Sequence, residues 1–158
     1  MHKQKTVAIS GGFDPIHIGH IRLIKAARAL GGRLIIILNN DNWLKRKKGF
    51  AFMNQKERAA VLSAIRWVDK VVITSHSKNP KDMSVSKELA KIKPDIFANG
   101  GDRNEVNAAN SKSTLYKDIK TCERFGIKMI FNVGGKKLQS SSDLVKRIRK
   151  LKKIKKIF

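Results

Sequence analysis

Cysteine is almost missing from this chain, with Cys122 the single one among 158 residues. One thiol closes no internal disulfide, so the fold is expected to form without covalent cross-links, in a reducing cytoplasm. Aromatic residues make up only 6%, too few to build the stacking platforms of single-strand nucleic-acid binders. Long apolar runs are lacking as well. The longest, Leu34 to Leu38, is far short of the roughly 20 residues that cross a bilayer, and Met1 to Thr6 is too polar to open a secretory signal. Acidic residues are scarce: 12 stand against 35 Lys and Arg, a net charge of +23. That imbalance fits anionic partners such as nucleic acid, lipid or phosphorylated substrates without choosing among them, and a generally basic proteome would explain it equally. Neither an internal repeat nor a low-complexity segment breaks the chain, whose length suits one domain.

What the chain does have is concentrated near its start. Val7 to Ile9 is a short apolar run of the kind a buried parallel strand needs, and Gly11-Gly12 lets the backbone turn and approach a ligand closely. Asp14-Pro15 opens a turn. From Ile18 the apolar residues Ile21, Leu23, Ile24, Ala27 and Leu30 follow a helical stripe, which puts His17 and His20 in the first turn of a helix. Free amides and the positive dipole end lie there, so the spot suits an anion. Two imidazoles at that place can stabilise charge growing on a phosphate, with Gly19 leaving room for a nucleotide. The competing readings are ordinary polar residues at a helix start, or a zinc pair. No Cys or acidic partner lies nearby to complete a metal set, so no protein-held metal is expected.

The stretch Gly12-Phe13-Asp14-Pro15-Ile16-His17-Ile18-Gly19-His20 resembles the signature of the HIGH-motif nucleotidyltransferases, the superfamily of cytidylyltransferases and of pantetheine-phosphate and heptose-phosphate adenylyltransferases. The resemblance implies a Rossmann-like fold and contacts from Gly12, Phe13, Asp14 and Gly19 to the nucleotide. It extends along the chain. Asp41, Lys48-Gly49, Asn54 and Glu57-Arg58 are spaced as in heptose-phosphate adenylyltransferases, which makes Lys48 the expected triphosphate lysine, with Lys45 and Lys47 as substitutes. Glycerol-phosphate cytidylyltransferases have a comparable, slightly shorter stretch. Pro94-Asp95 to Gly100-Gly101-Asp102 is similar to the family's second conserved region, in the heptose-enzyme form, although Arg103 stands where an aromatic residue is common. Ser140, Ser141 and Ser142 match an element that binds the β and γ phosphates in the family; its preceding Arg is replaced by Lys136 or Lys137.

Read from the residues alone, the same segments are consistent but less committed. Gly31-Gly32 stops the first helix, and Arg33 to Leu38 reads as a second strand buried on both faces. Asn39 to Asn42 falls at that strand's carboxyl end, where open α/β sheets place ligands. Trp43 to Gly49 reads as an aperiodic basic loop, either closing over a triphosphate or simply solvated. Asn54 is a plausible N-cap with Glu57 three residues on, and the helix it starts is expected to reach Val68. Arg58 within it reads equally as a phosphate contact or a surface charge; Asp41, Arg58 and Arg103 are the candidate acceptor-binding residues. His76 reads as an ordinary polar residue. Further strands are expected at 69–73, 95–98 and 127–131, and helices at 84–92 and 114–125. The carboxylate of Asp102 could accept a ribose hydroxyl or reach a metal ion. Asn104 to Asn110 reads as a polar covering loop, and the serine cluster as a helix cap.

The whole is expected to be α/β: a Rossmann-like, doubly wound, five-stranded parallel sheet with helices on both faces, over residues 1–149, and a basic tail over 150–158. The tail, with Ile148, Leu151, Ile154 and Ile157 among lysines, suits weak contact with an anionic membrane, packing on the sheet, or a homodimer. The expected reaction transfers a nucleotide from ATP or CTP to a phosphorylated small sugar or alcohol, releasing pyrophosphate. His17, His20 and Lys48 are its catalytic residues, and the resemblance together with triphosphate charge implies Mg²⁺. A non-catalytic nucleic-acid-binding module is the rival reading, weakened by the full set of phosphate residues.

Overall fold

The computed structural model describes residues 4–101, 103, 113–136 and 139–154, the last six of them as backbone only. Asp102, Lys137, the 104–110 segment and the end of the tail lie outside the described residues. The chain alternates strand and helix: β1 (Thr6–Gly11), α1 (Ile18–Ala29), β2 (Arg33–Leu38), α2 (Asp41–Lys48), α3 (Gln55–Ser63), β3 (Lys70–Ile73), α4 (Ser86–Ile92), β4 (Ile96–Ala98), α5 (Thr114–Phe125), β5 (Lys128–Ile130) and α6 (Ser141–Ile154).

The strands form one parallel sheet in the order β3-β2-β1-β4-β5. β1 and β2 run in register from Thr6 opposite Arg33 to Gly11 opposite Leu38. Their alternating side chains feed two cores. Val7, Ile9, Leu34, Ile36 and Leu38 pack with Ile24 and Ala27 of α1 and Leu62 of α3, whereas Ala8, Ile37 and Phe97 pack with Leu89 of α4 and Cys122 of α5. Helices therefore cover both faces, and the β2 run is buried on both sides because each face has its own cover. The chain leaves β1 toward β2 on one side and later places β4 on the other, so the strand order reverses between β1 and β4. Ligands of open parallel sheets lie outside the carboxyl ends at such a point.

The sequence expectations differ from this architecture in two places. Trp43–Gly49 is not a loop: Asp41–Lys48 is helical, with the Asn40 side chain accepting from Trp43 N at 3.0 Å at one end and Gly49 at φ 85° closing the other. Caps rather than apolar period define it. Four basic residues in its last turn are favoured by the negative helix end. The helix after Asn54 stops at Ser63 rather than Val68, because Ile65 and Val68 amides bond back to Leu62 and Ile65 carbonyls in a tight turn before β3. Ile65, Trp67 and Val68 still pack on the core. At the far end, α6 continues unbroken past residue 150 to Ile154. Among the described residues, no helix is long and apolar enough to cross a membrane.

α4 lacks a cap of its own. Asp118 of α5, 2% exposed, supplies it by accepting from Val85 N at 2.9 Å and Ser86 Oγ at 3.2 Å. Burial raises its carboxyl to about 6 against the pull of Arg103 and these donors.

α3 is held by little apolar surface, since Leu62 is its one fully covered hydrophobic side chain. Leu62→Ala is expected to cost about 2–5 kcal/mol, read as a lower denaturant midpoint with an unchanged slope.

Candidate active site

A cavity of about 560 Å³ opens at the carboxyl ends of β1 and β4. Its lining is built by the chain segments that follow the strands. Ser10 and Gly11 end β1, and Gly100 and Gly101 follow β4. His17, Gly19, His20 and Arg22 come from the start of α1, Lys136 and Gln139 from the turn after β5, and Ser140 and Ser141 from the start of α6. Phe13, 3% exposed, holds a left-handed backbone at φ 48° and puts its ring 4.8 Å from that of His20.

The two histidines form one unit. His17 is the N-cap of α1: its Nδ1 accepts from Gly19 N at 3.1 Å, while His20 Nδ1 accepts from His17 N at 3.2 Å. The rings stack with centroids 3.8 Å apart. With each Nδ1 taken by a backbone donor, each ring in its neutral form carries its proton on Nε2. Burial, joined by repulsion from His17 and Lys48, lowers the His20 imidazole to about 3, so it donates without carrying charge.

The structure draws Asp14 and Lys48 together. Asp14 is 1% exposed, and its carboxylate accepts from Phe52 N and Met53 N, each at 2.7 Å, and pairs with Lys48 Nζ at 3.0 Å. Lys48 Nζ also donates to the Asp14 carbonyl at 2.7 Å. Lys48, expected on the triphosphate, pairs with Asp14 in this structure, and its neighbour Lys47 lines the cavity. A helix turns neighbouring side chains about 100° apart, which separates the two.

Arg58 fits neither expectation. Its side chain is fully buried, donating to the carbonyls of Gly12 and Asn39 at 2.7 Å each and of Met53 at 3.0 Å, and to Asp41 Oδ1 at 2.6 Å. It joins the glycine turn, the end of β2 and the start of α2, and Asp41 is its counter-ion rather than a group in the cavity. Gly12 has a steric reason: a Cβ there would lie 2.8 Å from Leu44 Cδ2. Of the serines, Ser140 caps α6 and bonds Asp143 Oδ2 at 2.6 Å, Ser141 Oγ donates to the Pro15 carbonyl at 2.9 Å, and Ser142 is exposed outside the lining. Arg103 lines the cavity. Arg22, Ser10 and the Ser113–Thr114 start of α5 also line it, and sequence reasoning missed them.

His76 is more than an ordinary polar residue. Its ring lies between Thr74 Oγ1 at 2.8 Å and the Ser84 carbonyl at 3.0 Å, and its own carbonyl accepts from the Asn40 and Asn42 side chains. It fastens the start of α2 to the β3 edge.

Fold and site together define a Rossmann-like domain with a cavity lined by histidines and basic residues at its switch point. The chain belongs to the cytidylyltransferase-like family, whose pattern matches residues 8–148. It is 43% identical to the FAD synthase of Pyrococcus abyssi over 98 residues, covering 61% of this chain and 63% of that protein. With the FAD synthase of Thermococcus sibiricus the identity is 37% over 120 residues, covering 74% of this chain and 77% of the relative. The bifunctional protein HldE of Campylobacter concisus is 35% identical over 95% of this chain, which spans 28% of that longer protein. A crystal structure of the lipopolysaccharide core biosynthesis protein from Thermoplasma volcanium superposes with a TM-score of 0.62 over 83% of this chain and 97% of that one, at 21% identity. This last likeness bears on the fold alone.

Two outcomes follow from the geometry. His20 binds no proton in the folded state until about pH 3, whereas an unfolded histidine takes one near 6.5, so stability falls as pH drops through that window, by at most about 1.4 kcal/mol per unit. Urea midpoints at pH 7, 5.5 and 4.5 are expected to decline less in His20→Gln than in the parent chain. Arg58→Met strands Asp41 and three carbonyls and is expected to cost about 3–5 kcal/mol. Arg58→Lys recovers little, because an ammonium cannot span the same acceptors.

Proposed function

We propose that this chain is a nucleotidyltransferase that moves a nucleoside monophosphate, AMP in preference to CMP, from a nucleoside triphosphate to the phosphate of a small acceptor and releases pyrophosphate. The observation that carries this reading is the stacked His17–His20 pair, fixed with both Nδ1 atoms occupied, in a cavity shared with Arg22, Lys47, Lys136 and the start of α6. A triphosphate needs many donors arranged in space, and these groups converge from four chain segments.

In this reading an acceptor phosphate oxygen attacks the α-phosphorus, a new P–O–P bond forms, and the bond to the bridging oxygen breaks with its electron pair leaving on pyrophosphate. The Nε2–H groups of His17 and His20 donate to oxygens that gain charge as this happens. Arg22, Lys47 and Lys136 supply the positive charge, and the positive dipole end at the start of α6 faces the outgoing phosphates. Gly19 keeps the space beside His17 open. No covalent enzyme intermediate is required.

Mg²⁺ fits this chemistry as a companion of the triphosphate, neutralising phosphate charge. Among the described residues no group of three His, Cys, Asp or Glu could hold a metal, and Asp14 is spent on Lys48 and two amides. Phosphate oxygens would supply its ligands, and Asp102, which lies outside the described residues, is a carboxylate to test.

AMP transfer is supported by the heptose-type spacing of Asp41, Lys48-Gly49 and Gly100-Gly101-Asp102 and by the names of the relatives, since joining AMP to flavin mononucleotide gives FAD. A sugar phosphate is the first acceptor to test, given a likeness to HldE that runs along 95% of the chain; flavin mononucleotide is the second, given 43% identity to a FAD synthase.

Pyrophosphate release is to be measured with each of the four triphosphates against a panel of sugar phosphates, glycerol 3-phosphate and flavin mononucleotide. Turnover is expected with ATP and at least one acceptor. His17→Ala and His20→Ala are each expected to lower kcat about 10²- to 10³-fold, the loss typical of one charge-stabilising donor. Near-parental rates in both variants would remove the histidines from this role.

A further inference from the structure

The cavity has two linings that descend from opposite faces of the sheet. His17, His20 and Arg22 belong to α1, which packs on one core, and the turn carrying Lys136 follows Val133 of that same core. On the other side the lining is Arg103, Ser113 and Thr114, and α5 packs on the second core with α4. Ser10 of β1 and the glycines after β4 form the floor between them.

Arg103 is anchored by neutral oxygens. Its Nη1 donates to Asn99 Oδ1 at 3.0 Å and to Ser10 Oγ at 3.3 Å, which ties it to the ends of β4 and β1. Asp118 attracts it from α5, but that carboxylate already accepts the Val85 amide and the Ser86 hydroxyl. A guanidinium in such a cavity presents a planar fork that matches two oxygens of a phosphate.

In-line displacement needs the attacking oxygen on the side of the α-phosphorus away from the leaving pyrophosphate. Of the residues suited to pyrophosphate, His17, His20, Arg22 and Lys136 lie on the α1 face and Lys47 comes from α2, which leaves the α5 face for the other reactant. We propose that Arg103, with Ser10 and the Ser113–Thr114 start of α5, is the subsite for the acceptor's phosphate monoester. The fork holds two terminal oxygens and leaves the third to form the new bond to the α-phosphorus, as the electron pair of the broken bond departs with pyrophosphate. This assignment rests on the nucleotidyl-transfer reading of the same cavity. It also gives a chemical sense to an arginine where the family pattern commonly has an aromatic residue.

The test separates the two reactants. Inorganic phosphate is titrated calorimetrically into the full chain saturated with the non-hydrolysable α,β-methylene analogue of ATP, and the analogue is titrated alone, for the parent, Arg103→Met and Arg103→Lys. Arg103→Met is expected to weaken phosphate binding about tenfold or more, the scale of a charge-assisted bond lost to an anion, and to shift analogue affinity less than about twofold. Arg103→Lys keeps the charge without the fork and is expected to fall between. With the acceptor found by the pyrophosphate screen, KM for acceptor rises and KM for ATP stays. Should Arg103→Met not fold by thermal melting, Arg103→Lys and Ser10→Ala carry the same comparison. Unchanged phosphate binding, or a loss falling on the analogue instead, overturns the subsite while nucleotidyl transfer stands. A parent chain that neither binds the analogue nor releases pyrophosphate defeats the underlying reading and the subsite with it.

Discussion

A buried guanidinium organises the carboxyl edge of this sheet. Arg58 is 1% exposed, and a cation taken so far from water is tolerated only where acceptors surround it. Gly12, Asn39 and Met53 supply carbonyls and Asp41 supplies the charge. Each of these groups lies on a different segment: the turn after β1, the end of β2, the loop before α3 and the start of α2. Satisfying one side chain thus fixes four pieces of backbone relative to one another, and the glycine turn inherits its position from them.

A second buried pair completes the turn. Asp14 draws in Lys48 and the amides of Phe52 and Met53, which ties the far end of α2 to the residues just ahead of His17. With both ends of α2 held, by Arg58–Asp41 and by Lys48–Asp14, Lys47 is delivered to the cavity wall. The histidine rings are held in the same way, His17 by the Gly19 amide and His20 by the His17 amide, so their orientation is set by the backbone. Backbone-held imidazoles thus stand beside lysine and arginine cations in one lining.

Much of this was legible from residue order. The alternation of strand and helix, the double-sided burial of Leu34–Leu38, the Asn54–Glu57 capping box and the Thr114–Phe125 helix follow from local pattern, and the family resemblance pointed to the turn at Gly11–His20. Other features depend on partners distant in sequence. Arg58 looks like any helix-surface arginine until the carbonyls of residues 12 and 39 are placed around it, and Lys47 and Lys48 differ only by the rotation of a helix whose caps, not its apolar period, announce it. Arg103 gains its place from Ser10, which lies 93 positions away. Asp118 caps a helix other than its own. Pattern reads contacts within a segment well and contacts between segments poorly.

The division of the cavity between the two faces of the sheet has an evolutionary corollary. The β1–α1 turn lines the α1 side, and Arg103 with the Ser113–Thr114 start of α5 lines the other. If the α5 side receives the acceptor as proposed, replacing Arg103 or the hydroxyls beside it alters the choice of recipient and leaves the α1 lining as it is. A fold partitioned in this way is an economical starting point for diversification.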